Sequence, residues 1–135
     1  WPRHWGLFYG RYMDKIHPNY YAPIIVEKRI VADPLDIIRE CRFSLGSALK
    51  YLWRAGKKPG ECEADDLRKA SFYLKDCRDH YEIIPDFVAR GRRKELEVLC
   101  EANAFWKLLL LDECSSALRF STALLAIESR LKELK

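Results

Sequence analysis

The sequence predicts a mostly α protein: a small helical domain with a central helical hairpin, a long C-terminal helical hairpin and an irregular, aromatic-rich N-terminal arm. Apolar residues recur at helical spacing from Leu45 to Ala55, from Leu67 to Tyr81 and again beyond Arg92. Pro59, Gly60, Pro85 and Gly91 punctuate those stretches. Only Ile24 to Val31 has the β-branched character of a strand. At 135 residues and 49% hydrophobic content the chain suits one domain with a real core. Within it we expect an arm and a short strand over residues 1–33, a central core over 34–82 and a helical hairpin over 85–135.

In the arm, Trp1, Trp5, Phe8, Tyr9, Tyr12, Tyr20 and Tyr21 are mixed with Pro2, Pro18 and Pro23, with no period of 2 or 3.6. Such a segment packs its rings on the domain or on a neighbouring subunit. Ile24 to Val31 suits a short hairpin, an edge strand or a linker. Asp33 and Pro34 then open a helix as cap and first residue, with Asp36 in the first turn and Leu35, Ile38 and Cys41 as its buried face.

The next helix is expected to be capped by Ser44 and closed by Gly56. At about 100° per residue, Leu45, Ala48, Leu49, Leu52 and Ala55 gather on one side, and Gly46, Lys50, Arg54 and Lys57 on the other. From Cys41 to Gly60 the charges are Arg42, Lys50, Arg54, Lys57 and Lys58, with no acid among them. The following helix begins near Ala64 or Asp65 with acids in its first turn. Its buried stripe is Leu67, Ala70, Leu74, Cys77 and Tyr81, flanked by Asp66, Lys69, Tyr73 and His80.

A loop this short folds the two helices into an antiparallel hairpin. Lys50 and Arg54 then approach Asp66, Lys69 and Tyr73, and a phosphate there meets several donors, with Gly46 leaving room for it. The same pattern also suits solvated lysines and arginines, a surface Asp66–Lys69 pair and a rim tyrosine. If the site is real, Lys50→Ala and Arg54→Ala weaken ligand binding and leave stability nearly unchanged.

The run F-x-x-G-x-A-x-K-Y-x-x-R-A-G-K from Phe43, followed by D-L-x-K-A-x-x-Y-L from Asp66, resembles a family of small phage and prophage proteins named after a phage nucleoside monophosphate kinase. Upstream, His17-Pro18 and Pro34-Leu35-Asp36-Ile37-Ile38 add to the likeness. Ser47 stands where that family usually has Asn, which removes an amide that could read a base. Asp36 stands where it usually has Glu, which keeps the charge and shortens its reach. The resemblance implies nucleotide binding by His17, Gly46, Lys50, Arg54, Lys57, Asp66, Lys69 and Tyr73, with Asp36, Asp66 and His17 as candidate catalytic groups. It also implies ATP as the cofactor, leaves magnesium open, and places the protein in the cytoplasm of a phage-infected or prophage-carrying bacterium.

From Arg92 a long helix is expected to carry Leu96, Leu99, Cys100, Asn103, Trp106 and Leu110 on one side. After capping chemistry at Asp112 to Ser116, a second helix carries Leu118, Thr122, Leu125, Ser129 and Lys132 on one face, broadened by Ala117, Leu124, Ile127, Leu131 and Leu134. Because Phe105, Trp106 and Leu108 to Leu111 cannot all face inward on so small a domain, this hairpin is expected to make a homo-oligomer interface.

Five widely spaced cysteines without a Cys-x-x-Cys pair argue for reduced thiols, and neither His4 nor His80 has a partner at metal-ligand spacing, so no metal site is expected. The apolar runs are cut by Lys107, Asp112 and Glu113, well short of a membrane span. A net charge of +4 suits a small anionic ligand and argues against nucleic acid, which calls for a broader basic field. The functional expectation is a nucleotide-binding protein, with nucleoside monophosphate kinase activity as the catalytic version. The alternative is a non-catalytic sponge that sequesters a nucleotide or cyclic-nucleotide signal against host defence. A helical nucleoside triphosphate pyrophosphohydrolase ranks lower: Glu95, Glu97 and Glu101 are the nearest candidates for its carboxylates, but Glu97 and Glu101 lack a matching acidic pair on another helix.

Overall fold

The computed structural model describes residues 21–57 and 62–135. Among them are one two-stranded sheet and six helices: β1 Ile24–Val26, β2 Arg29–Ala32, α1 Pro34–Ile38, α2 Phe43–Arg54, α3 Glu63–Asp79, α4 Arg93–Ala102, α5 Ala104–Leu110 and α6 Ser116–Glu133. The mostly helical class expected from the sequence is the one observed. The aromatic arm up to Tyr20, including His17, lies outside the described residues.

The strand-like stretch is an antiparallel hairpin pairing Ile25 with Ile30 and Val26 with Arg29, with an irregularity between Ile24 and Ile25. Glu27 and Lys28 turn the chain with φ of 50° and 62°, the left-handed pair that a tight two-residue hairpin turn requires. Asp33 caps α1 as expected, its Oδ1 accepting from Leu35 N at 3.0 Å.

Two side-chain bonds fix the central hairpin as antiparallel. Ser44, in the first turn of α2, donates to Asp76 near the end of α3, and Arg54 at the end of α2 meets Asp66 in the first turn of α3. Ser44 therefore sits inside the helix: α2 starts at Phe43 with Arg42 in the cap position, because the Ser44 hydroxyl is spent on Asp76 instead of on the helix's own amides. Gly56 follows the helix at φ 78°, the conformation that closes it. The core faces of both helices are as read, with Leu45, Ala48, Leu49 and Leu52 facing Leu67, Ala70, Leu74 and Cys77. Tyr81 is an exception. α3 ends at Asp79, and Tyr81, at φ 53°, turns outward and is exposed.

The C-terminal third differs from the expected pair of long helices. The first breaks at Asn103, which leaves helical geometry at φ −146° and ψ 113° and caps α5 by accepting from Trp106 N at 3.1 Å. Its amide nitrogen donates to Leu52 O at 3.1 Å, and Trp106 Nε1 donates to Leu49 O at 2.9 Å. Polar groups on the apolar stripe thus bind carbonyls of α2, and the break lets α5 lie against it. Trp106, Leu109 and Leu110 are buried and Phe105, Leu108 and Leu111 half-buried, so this run is mostly core of the single chain. On α6 the core face is Phe120, Ala123 and Ile127; Leu118 and Leu125, expected on the apolar face, are exposed. Packing of α6 on both α3 and α5 sets this phase.

All five cysteines are free, Cys77 and Cys100 buried and Cys41 half-buried. Burial raises the Cys41 and Cys100 thiols to about 12. No described helix is long and apolar enough to cross a membrane.

Candidate functional site

The central hairpin brings four of the predicted site residues onto a single ring. Tyr51, half-buried on α2, has Lys50 Nζ at 4.7 Å, the Arg54 guanidinium at 4.5 Å and Lys69 Nζ at 5.5 Å from its centroid. Tyr73 stacks parallel to Tyr51, with centroids 5.9 Å apart and planes 7° apart. Helix geometry explains the convergence: Tyr51 and Arg54 are one turn apart on α2, and Lys69 and Tyr73 one turn apart on α3. Each cation over the π face is worth about 0.5–2 kcal/mol, depending on how far it is desolvated.

The three cations differ in access. Lys50 is half-buried and Lys69 exposed, whereas Arg54 lies beneath, among the buried residues. Arg54 Nε is 3.2 Å from Asp66 Oδ1, and its Nη1 donates to the Tyr21 hydroxyl at 3.3 Å. Burial works against the guanidinium charge, but Tyr21 and Asp66 outweigh it and raise the Arg54 pKa above its ordinary value. Arg54 is thus a fixed positive strut under Tyr51, with its polar fork directed inward. The solvent-facing stripe expected on α2 is split for this reason: α3 and Tyr21 cover Arg54.

The remaining predicted residues within the described range make no contact with the Tyr51 ring that the structure shows. Gly46 is buried against α1, where a Cβ would meet Ile38 O at 3.2 Å, so its small size serves helix packing before it serves a ligand. It also lines, with Ser47, Phe43 and Lys50, a shallow depression of about 180 Å³ between α1 and α2. Lys57 seats its ammonium on Trp53 at 4.6 Å, and desolvation there lowers its pKa. Asp36 is paired with Arg39, 3.3 Å away just past the end of α1. Asp66 is fully buried under Arg54. His17 lies outside the described residues.

Sequence reasoning missed Tyr51 as the hub, although a tyrosine three residues before Arg54 and next to Lys50 carries the signal. It also missed the outer rings. Phe43 and Phe72 meet Tyr73 edge-on at 5.7 and 5.2 Å, and both stand well exposed. For the pyrophosphohydrolase reading, Glu95 is engaged by Arg92 and Glu97 by Arg93. Among the described residues, no three His, Cys, Asp or Glu side chains are grouped to hold a metal ion.

Residues 27–75 match the model of a family described as protein of unknown function, DUF3310. The match spans β2 to most of α3 and includes Tyr51 and its three cations. Its description carries no activity, so the kinase name implied by the resemblance gains no support from it. No curated protein and no solved structure matches the chain.

Proposed function

We propose that this protein binds a nucleotide through its phosphates on the central hairpin, with Lys50 and Lys69 as the contacting cations and Arg54 reinforcing the field from beneath Tyr51. The observation that carries the reading is the convergence of three cations on one tyrosine ring at the junction of two helices. Lysine ammonium groups at a partly desolvated aromatic surface bind phosphate oxygens through charge-assisted hydrogen bonds. Tyr73 adds a second ring to the same surface.

Binding without turnover fits this geometry better than kinase chemistry. Phosphoryl transfer requires groups that position the acceptor and neutralise charge in line. Asp66 is locked under Arg54 and Asp36 is paired with Arg39, so neither candidate carboxylate stands ready for that task. A sponge needs only the cations and the rings. Incubation with ATP and each nucleoside monophosphate, followed by denaturation and chromatography, separates the two: the expected result is nucleotide retained and returned unaltered, while diphosphate formation establishes the kinase. Failure of isothermal titration calorimetry to detect any nucleotide overturns both.

We further propose that the protein self-associates through α6, where Leu118 and Leu125 are exposed one heptad apart. Light scattering of the wild type and of Leu118→Glu/Leu125→Glu reads this directly: the expected result is a dimer that the variant dissociates.

A further inference from the structure

Exposed phenylalanines flank the cation cluster. Phe43 is 77% and Phe72 67% exposed, and each packs perpendicular to Tyr73, which in turn stacks on Tyr51. Four aromatic rings therefore form one continuous patch, bordered by Lys50 and Lys69, with Arg54 buried beneath Tyr51. The two kinds of group also share both helices: Phe43 and Lys50 are two turns apart on α2, about 10 Å along the axis, and Lys69 and Phe72 lie on adjacent turns of α3. The folded core makes little use of the outer rings, which leave most of their surface to water.

The depression beside Lys50 is about 180 Å³, small against the roughly 300–1,000 Å³ of enclosed small-molecule sites. A ligand on these residues lies along the surface instead of sinking into it. Positive groups that track a phosphate backbone, interleaved with rings that accept bases on their faces, are what single-stranded nucleic acid requires; the rings need no particular sequence, because every base has a π face. A double helix, with its bases stacked inside, cannot use them.

We propose that the Phe43–Tyr73–Phe72 patch and the adjoining Lys50 and Lys69 form a binding surface for single-stranded nucleic acid, whose bases stack on the two phenylalanines while its phosphates meet the two lysines. This rests on the reading of Lys50 and Lys69 as phosphate ligands and extends the ligand from one nucleotide to a strand. It reverses the expectation from net charge, because a local patch decides short-strand binding.

The test is fluorescence anisotropy of a fluorescein-labelled ten-nucleotide oligothymidylate titrated with the full chain, beside calorimetric titration with thymidine monophosphate and competition by a duplex of equal length. Expected are saturable binding of the single strand, weak competition by the duplex, and a loss on the order of tenfold in Phe43→Ala and in Phe72→Ala. Phe43→Leu and Phe72→Leu, which keep bulk and remove the π face, are expected to lose binding as well. The affinity should fall with salt with a logarithmic slope of about −1 to −2, as contact with about two phosphates gives. Binding of thymidine monophosphate without the oligonucleotide overturns the strand proposal and leaves the nucleotide reading intact; binding of neither overturns both. Equal binding of the duplex, or unchanged affinity in the phenylalanine variants, overturns the stacking surface. Dissociation of an oligomer by those variants without oligonucleotide binding shows that the patch is a contact between copies, and likewise overturns it.

Discussion

Arg54 and Asp66 form an ion pair inside the central hairpin, Nε to Oδ1 at 3.2 Å, with side chains only 8% and 0% exposed. Removing one partner leaves a buried charge without its counter-ion, which costs about 3–5 kcal/mol. Arg54→Ala is therefore expected to lower stability by that order in urea denaturation, in contrast to the near-neutral effect anticipated for a solvent-facing arginine. Arg54→Met combined with Asp66→Leu should recover most of the loss, because a well-packed apolar pair does as well as a buried ionic one. A double variant as unstable as Arg54→Ala alone shows that Tyr21, and not the ion pair, is what Arg54 chiefly serves.

Lys50 and Lys69 project from the same hairpin without being enclosed by it. Lys50→Ala and Lys69→Ala are each expected to weaken nucleotide binding by about 1.5–3 kcal/mol, the range for a hydrogen bond to a charged group, while lowering stability by only about 0.5–1 kcal/mol through the lost contact with the Tyr51 ring. Lys57→Ala, on the Trp53 ring, should leave the affinity alone. Calorimetric titration of the three variants checks the assignment; an effect of Lys57 equal to that of Lys50 moves the site toward the end of α2.

Asn103 performs two tasks with one amide, accepting from Trp106 N and donating to Leu52 O. Asn103→Ala should cost about 1–2 kcal/mol in denaturant unfolding, from the lost cap and the unsatisfied carbonyl. Asn103→Asp keeps the cap but sets a carboxylate oxygen against Leu52 O. It is expected to be the more damaging change, and an aspartate variant as stable as wild type refutes the donor role.

The β1–β2 turn places Glu27 and Lys28 at positive φ, a conformation that suits Asn and Gly better. Glu27→Asn with Lys28→Gly is expected to raise stability by about 1 kcal/mol. Thermal melts give the sign directly.

His80 at the end of α3 sets Nδ1 2.9 Å from Asp76 O and 3.2 Å from Asp76 Oδ1. The backbone carbonyl first, and the carboxylate charge second, raise its pKa above the usual histidine value. A raised folded-state pKa stabilises fully below the unfolded value of about 6.5, and the effect fades as pH rises through the folded value. The melting-temperature gap between wild type and His80→Gln should accordingly be wider at about pH 5.5 than at about pH 8.5. A gap that does not vary with pH removes His80 from the stability profile.

The helical period alone carried much of the architecture. Leu45, Ala48, Leu49 and Leu52, and Leu67, Ala70, Leu74 and Cys77, lie where their spacing puts them, because a helix with one apolar stripe has one way to face a core. Asn103 was illegible because it keeps the period of the stripe it interrupts; only the carbonyl of Leu52, distant in sequence, gives its amide a reason to break the helix. Arg54 looked exposed by angle, and burial came from Asp66 and Tyr21, which periodicity cannot see. On α6, Phe120 displaced Leu118 from the core because two neighbours, α3 and α5, choose the face together. The candidate site was legible as a set of cations and a tyrosine, but its hub, Tyr51, emerges only when two helices are laid side by side.

The indole of Trp106 and the amide of Asn103 reach back to carbonyls in the middle and near the end of α2, so the family-like stretch is finished by chain that the family match does not cover. That stretch is half of a joint whose other half is supplied by the C-terminal third. Without that second half the carbonyls of Leu49 and Leu52 would lose the two side-chain donors that seat α2 against the C-terminal third.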